Sequence, residues 1–173
     1  MDLSIPQIPL PKTNGSSVSV SDFNNDGYDD LFVGSRSITG FYGLSPYSFI
    51  MLNNRDKTLS ALEQQRYGMV TDSKWVDFNS DGKKDLILVG DWMPITVLVQ
   101  EDDLKFVNKT DEYGLSKTNG LWNVVETNDF NNDGKDDLFF IQYGPGIISS
   151  SITIHISTGI LKKYEKRPKY FVL

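Results

Sequence analysis

The 173-residue chain, 39% hydrophobic and 12% aromatic, fits one domain large enough to bury a core without disulfides or a structural metal cluster, and its composition is not that of a disordered acidic tail. Its 23 acidic and 17 basic residues leave a formal charge of -6, with no basic stripe interleaved with aromatics, so nucleic acid is not an expected partner. The chain has no cysteine, which removes thiolate zinc sites and thiol nucleophiles, and no apolar run of roughly 18 residues, so no membrane insertion is expected.

In chain order, alternation at Val18-Ser19-Val20-Ser21 predicts a strand. After an Asp-rich loop, the apolar run Leu31-Phe32-Val33-Gly34 predicts a second, and Ser48 to Leu52 a third. A fourth is placed near Thr58 to Leu62, while Ser60 to Arg66 carries a hint of a helical turn. The same order returns with Lys74-Trp75-Val76, a loop, Leu86 to Gly90, Ile95 to Val99, and Leu104 to Val107. It returns again with Val124 to Thr127, a loop, Leu138 to Ile141, Ile152 to Ile156, and Tyr170 to Leu173. The expected class is all-β, with units of four antiparallel strands.

The loops are three versions of one sequence: Asp22-Phe23-Asn24-Asn25-Asp26-Gly27-Tyr28-Asp29-Asp30-Leu31, Asp77-Phe78-Asn79-Ser80-Asp81-Gly82-Lys83-Lys84-Asp85-Leu86, and Asp129-Phe130-Asn131-Asn132-Asp133-Gly134-Lys135-Asp136-Asp137-Leu138. They recur about 55 and about 52 residues apart, a period that signals stacked supersecondary units, because one such unit cannot bury its apolar face alone. Blades are placed at about 12–66, 67–118 and 119–173, giving about three in this chain.

Calcium takes six to eight oxygen ligands, and alternating carboxylates and amides on a curled loop aim those oxygens inward. The expected ligands are the side chains of Asp22, Asn24, Asp26 and Asp30 with the Tyr28 carbonyl; Asp77, Asn79, Asp81 and Asp85 with the Lys83 carbonyl; and Asp129, Asn131, Asp133 and Asp137 with the Lys135 carbonyl. Gly27, Gly82 and Gly134 stand where the chain turns with positive φ. An EF-hand would need a glutamate at loop position twelve and flanking helices, whereas Val33, Leu88 and Phe140 stand there and belong to strands. Taken singly, each Asp-Gly also reads as an ordinary hairpin turn; three loops sharing every polar position favour the metal. Three carboxylates crowded into each loop repel one another unless a cation compensates, and about three calcium ions would offset the formal -6. Asp29 and Asp136 are read as solvated, because Lys84 holds that place in the second loop.

These residues resemble the FG-GAP or VCBS repeat family, integrin-like β-propellers whose blades carry Asp-x-Asp-x-Asp-Gly-x-x-Asp-Leu calcium loops, over about residues 10 to 145. Here Asn replaces Asp at the third position in every copy, which keeps an oxygen ligand at lower charge. The context Leu10-Pro11-Lys12-Thr13-Asn14-Gly15, Val89 to Val97 and Asp111 to Leu115 before Trp122-Asn123 is similar to the ASPIC/UnbV-associated branch. The resemblance implies a secreted or cell-surface protein in which the propeller is a non-catalytic module for adhesion or for binding a protein or glycan. A carbohydrate-binding, lectin-like propeller is the alternative. Family rings close with about seven blades, so three blades imply either a piece of a longer chain or a homo-oligomer completing the ring.

Some residues are discounted. His155, the only histidine, is read as packed or on the surface, without the partners of a catalytic triad. Trp75, Trp92 and Trp122 occupy non-equivalent places in the repeats and are assigned to core or interface packing. Lys162, Lys163, Lys166, Arg167 and Lys169 are read as a solvated terminal face.

Overall fold

The computed structural model describes residues 13–130, 132, 134–142, 151–154, 156–157 and 160–161. Strands β1 (Thr13–Ser21), β2 (Asp30–Ile38), β3 (Ser48–Asn53) and β4 (Leu59–Gln65) form an antiparallel meander in sequence order. The pattern repeats in β5 (Met69–Val76), β6 (Asp85–Met93), β7 (Thr96–Gln100) and β8 (Phe106–Asn108), with a 3₁₀ turn at Asp102–Leu104 before the last strand. A third run follows in β9 (Gly120–Asn128), β10 (Asp137–Gln142) and β11 (Ser151–Ile154), and then a short pair, β12 (Ile156–Ser157) and β13 (Ile160–Leu161). Among the described residues there is no α-helix. The all-β expectation holds, and successive meanders of this kind fit a partial β-propeller. His155, the basic cluster from Lys162 to Lys169 and the strand expected at Tyr170 to Leu173 lie outside the described residues.

Strand β6 shows how the sequence produces the packing. Its run Leu86 to Val89 is buried at every position, because both faces are covered. Leu86 and Leu88 join Phe23, Phe32, Ile50, Val70 and Phe106 on one side. Ile87 and Val89 join Phe78, Val97, Trp122, Val125 and Phe140 on the other. A strand at the periphery alternates, but one sandwiched between two layers must be apolar throughout, and each buried Leu or Ile there contributes about 1.5–3 kcal/mol. By contrast β1 leaves Val18 and Val20 exposed.

Side-chain hydrogen bonds stitch the first strands of the units together. Ser73 Oγ bonds Ser17 Oγ and Ser19 Oγ at 2.7 and 2.9 Å, and the Ser16 hydroxyl donates to Val70 O at 2.6 Å. The Thr71 hydroxyl then donates to Trp122 O at 2.8 Å, and Val125 N–H donates to Asp72 Oδ2 at 3.0 Å. Strands β1, β5 and β9 are thereby neighbours, although about 50 residues separate each pair in sequence, a period that marks stacked repeats. The approach of β5 to β6 is tight at Gly90, where a Cβ would sit 2.0 Å from Met69 O.

One expectation is corrected. Ser60 to Arg66, with its hint of a helical turn, instead lies in β4 as far as Gln65, paired to β3 from Asn53↔Leu59 to Ser48↔Gln65. A register shift between Ile50 and Met51 leaves Leu62 as an extra residue, and this bulge breaks the period-two alternation that marks a strand. The helix-forming residues Ala61, Leu62, Glu63 and Gln64 are therefore overridden by pairing.

Candidate metal loops

Each Asp-rich loop joins the first strand of a unit to the second. In the loop between β1 and β2, the Asp22 carboxylate accepts Asp26 N–H at Oδ1 (2.9 Å) and Gly27 N–H at Oδ2 (2.8 Å). Asn24 Oδ1 accepts Asp26 N–H at 3.0 Å, its amide nitrogen donates to Asp26 Oδ2 at 3.0 Å, and Asp26 Oδ1 accepts Tyr28 N–H at 2.9 Å. The loop between β5 and β6 repeats the network. Asp77 accepts Asp81 N–H at 3.0 Å and Gly82 N–H at 2.9 Å. Asn79 accepts Asp81 N–H at 3.0 Å and donates to Asp81 Oδ2 at 2.9 Å, while Asp81 accepts Lys83 N–H at 2.8 Å. In the loop between β9 and β10, Gly134 N–H donates to Asp129 Oδ2 at 2.8 Å. Asn131 and Asp133 lie outside the described residues.

The backbone explains the residue types. Gly27, Gly82 and Gly134 have φ of 86, 85 and 84°, with open space where a Cβ would stand, so the left-handed backbone alone requires glycine there. Asn25, Ser80 and Asn132 are also left-handed, at 56, 62 and 58°. That second turn is a feature the sequence reading missed, although two of the three positions carry Asn, the side-chain-bearing residue that best tolerates it.

The ninth loop residue behaves differently from the others. Asp30, Asp85 and Asp137 are buried, and each opens the strand after its loop. Asp85 accepts Gln100 N–H at Oδ1 (2.8 Å) and Phe78 N–H at Oδ2 (3.0 Å), while Asp137 Oδ2 accepts Phe130 N–H at 3.1 Å. Asp30 Oδ1 accepts Asn53 N–H at 2.8 Å, but its Oδ2 is buried without a hydrogen-bond partner; the Phe23 amide is near enough to favour the charged form yet outside hydrogen-bond geometry. Burial pushes the Asp85 carboxyl up to about 6 and raises Asp30 as well, the flanking amides opposing it in both cases. Asp26, largely covered beneath Arg55, is held below the ordinary range: desolvation pushes it up, but bonds from Arg55, Tyr28 N–H and Asn24 together outweigh that.

The surroundings of the loops differ. Arg55, from the turn between β3 and β4, reaches Asp26 Oδ2 at 2.8 Å and lies 5.9 Å over the Tyr28 ring. Lys83 instead turns away to Asp102 at 2.8 Å. Asp29 and Asp136 are exposed, as expected of solvated positions. Phe23 is buried against Trp75 at 5.2 Å and Phe106 at 5.4 Å, and Phe78 packs on Tyr113 at 4.7 Å. Phe130 is 54% exposed.

The donor set is all oxygen, hard and anionic, which fits calcium, and the orphaned buried Oδ2 of Asp30 is an acceptor in want of a cation or donor. Among the described residues no three carboxylates converge closely enough to hold a metal as they stand, since loop amides and Arg55 take the oxygens. A bound ion would replace those donors at Asp22, Asp26 and their counterparts.

Residues 77–140 match the FG-GAP-like repeat, and residues 14–37 match the FG-GAP repeat. The chain carries FG-GAP repeats. The FG-GAP match at 14–37 contains the first loop, and the FG-GAP-like match at 77–140 contains the second and third with the strands between them. FG-GAP repeats are integrin-like propeller repeats, often found in adhesion or binding modules. No curated protein matches the chain.

Two of the tryptophans pack into the layers between strands. Trp75 packs between Phe23 and Phe106, and Trp122 is 2% exposed with its Nε1 donating to Thr118 O at 2.9 Å. Trp92 does not pack in the core: it is 61% exposed. The β6–β9 register shifts between Asp91 and Met93, and Trp92, at φ 56°, is the bulged residue whose side chain is turned out of the core.

Proposed function

We propose that this chain is a calcium-stabilised, non-catalytic propeller module that binds a protein or glycan outside the cell. The observation that carries the reading is the shared loop geometry: two loops about 55 residues apart place the same oxygens and the same amides at the same spacing, next to a buried aspartate. Asp22, Asn24, Asp26 and Asp30 with the Tyr28 carbonyl would hold one ion, Asp77, Asn79, Asp81 and Asp85 with the Lys83 carbonyl a second, and Asp129, Asn131, Asp133 and Asp137 with the Lys135 carbonyl a third.

Bound calcium supplies charge neutralisation and a cross-link across each hairpin bend. The residues do the rest: the glycines admit the turn, and the ninth aspartate fastens the loop to the strands behind it. Thermal unfolding with excess calcium and with chelator tests the reading. A ligand at one hundred times its dissociation constant stabilises by about 2.7 kcal/mol per site. The melting temperature should rise clearly with calcium and fall back with chelator, and an Asp26→Ala, Asp81→Ala double variant should lose most of the rise. Equal melting temperatures in both buffers would sink the proposal.

A further inference from the structure

The connection between β2 and β3 (39–47) and the bulge at the end of β6 meet at the ends of the sheets opposite the metal loops. There Phe41, Tyr42, Leu44 and Trp92 are 63, 62, 52 and 61% exposed. The Tyr42 and Trp92 rings stand 5.6 Å apart at 70°. The connection comes close to the indole at Gly43, where a Cβ would lie 3.6 Å from Trp92 Cζ3 and where φ is 93°. Beneath the rings lies Asp91, only 6% exposed, whose Oδ2 accepts Arg36 Nε at 2.7 Å and the Tyr42 hydroxyl at 2.9 Å. The Arg36 side chain is 45% exposed.

We infer that the Trp92–Tyr42 platform, with Arg36 at its rim and Asp91 anchoring it from beneath, is a carbohydrate-binding site for the pyranose ring of a neutral glycan. This deepens the binding half of the function proposed above and rests on that half alone, not on calcium. A pyranose ring presents a face of polarised C–H groups, which the electron-rich face of an indole attracts, and a rim of hydroxyls that need donors and acceptors in a plane. The platform offers both within one side-chain length: an exposed indole and phenol for the face, and the half-exposed Arg36 guanidinium for the rim. The Asp91 ion pair and the Tyr42 hydroxyl bond hold the platform in place before ligand arrives, which lowers the ordering cost of binding.

A protein partner is less well served. A stable protein interface takes about 800 Å² and about 20–30 residues from each side, whereas two exposed rings over a charged pair make a patch of ligand size. The backbone agrees, since a tryptophan at φ 56° sits in a region costly for a bulky residue, and such outliers gather at binding sites.

The test is titration of the full chain, in excess calcium, with neutral hexose and N-acetylhexosamine oligosaccharides, read by calorimetry and by tryptophan fluorescence. Trp122 is buried and Trp75 is half-buried against Phe23, so a fluorescence change on binding is assigned to Trp92 by its loss in Trp92→Tyr. At least one oligosaccharide should bind, Trp92→Ala should weaken it about tenfold or more, and Trp92→Tyr should keep most of it. Far-UV circular dichroism of both variants controls for folding. The inference is overturned if the intact chain binds none of these sugars, if binding survives Trp92→Ala unchanged, or if Trp92→Ala abolishes only a self-association of the chain. A failed calcium titration would leave this experiment standing.

Discussion

Gln100 donates its backbone N–H to Asp85 Oδ1 at 2.8 Å, and Asn53 makes the same bond to Asp30 Oδ1 at the same distance. In both units the ninth loop residue thus ties the loop to the end of the third strand. Asp85→Ala should therefore destabilise the chain even in chelator, because the amides of Phe78 and Gln100 are left buried and unpaired, at about 1–3 kcal/mol for each. Asp81→Ala, at an exposed position, should change chelator stability little while removing the calcium response of its loop. Urea unfolding of the two variants with and without calcium separates these roles; equal losses in chelator would contradict the division.

Arg55 is a competitor for the first loop. Its guanidinium sits on Asp26 Oδ2, where a divalent ion would also bind, and it must be displaced or share the oxygen. Arg55→Gln should raise the affinity of the first loop for calcium by several-fold and leave the second loop, whose Lys83 pairs with Asp102, unchanged. Titration of variants keeping only the first or only the second loop's first aspartate, each with and without Arg55→Gln, measures this. An unchanged or lowered affinity would remove Arg55 from the account.

Two glycines should respond to alanine for different reasons. Gly82→Ala meets open space but a φ of 85°, so its cost is that of left-handed backbone, about 1–2 kcal/mol. Gly90→Ala drives a Cβ to 2.0 Å from Met69 O and must part β5 from β6, which should cost more, about 3 kcal/mol or above. Guanidinium melts of the two variants should show Gly90→Ala as clearly the worse; the reverse order would show that β5 moves away freely.

The buried indole of Trp122 anchors the layer between the second and third units, with its ring 6.0 Å from Phe140 and its N–H on Thr118 O. Trp122→Ala should cost about 3–5 kcal/mol, and Trp122→Phe about 1–3 kcal/mol, chiefly through the lost bond at Thr118. Thermal denaturation in chelator gives both values free of any calcium effect; a neutral Trp122→Ala would mean that this layer is not packed as described.

The strands were legible because their patterns are local. Leu31 to Gly34, Leu86 to Gly90 and Leu138 to Ile141 announce β2, β6 and β10, and the triplicate loop fixes where each begins. What escaped lies in contacts between distant residues. The β4 strand was obscured by its own bulge at Leu62, and the exposure of Trp92 by a register shift against β9 that no single segment encodes. In the loops, residue types pointed to the turn and the oxygens. They did not show that Asp30 and Asp85 would be buried under strand amides, since Asn53 and Gln100 lie far along the chain.

Calcium titration by calorimetry on the intact chain tests the central claim most directly. The account predicts about three ions per chain, with dissociation constants on the order of 10⁻⁴ M, the range of weak calcium modules, falling to about two when Asp26 is replaced. Absence of binding at millimolar calcium, or a stoichiometry unaffected by changes at Asp26, Asp81 and Asp133 together, would contradict it.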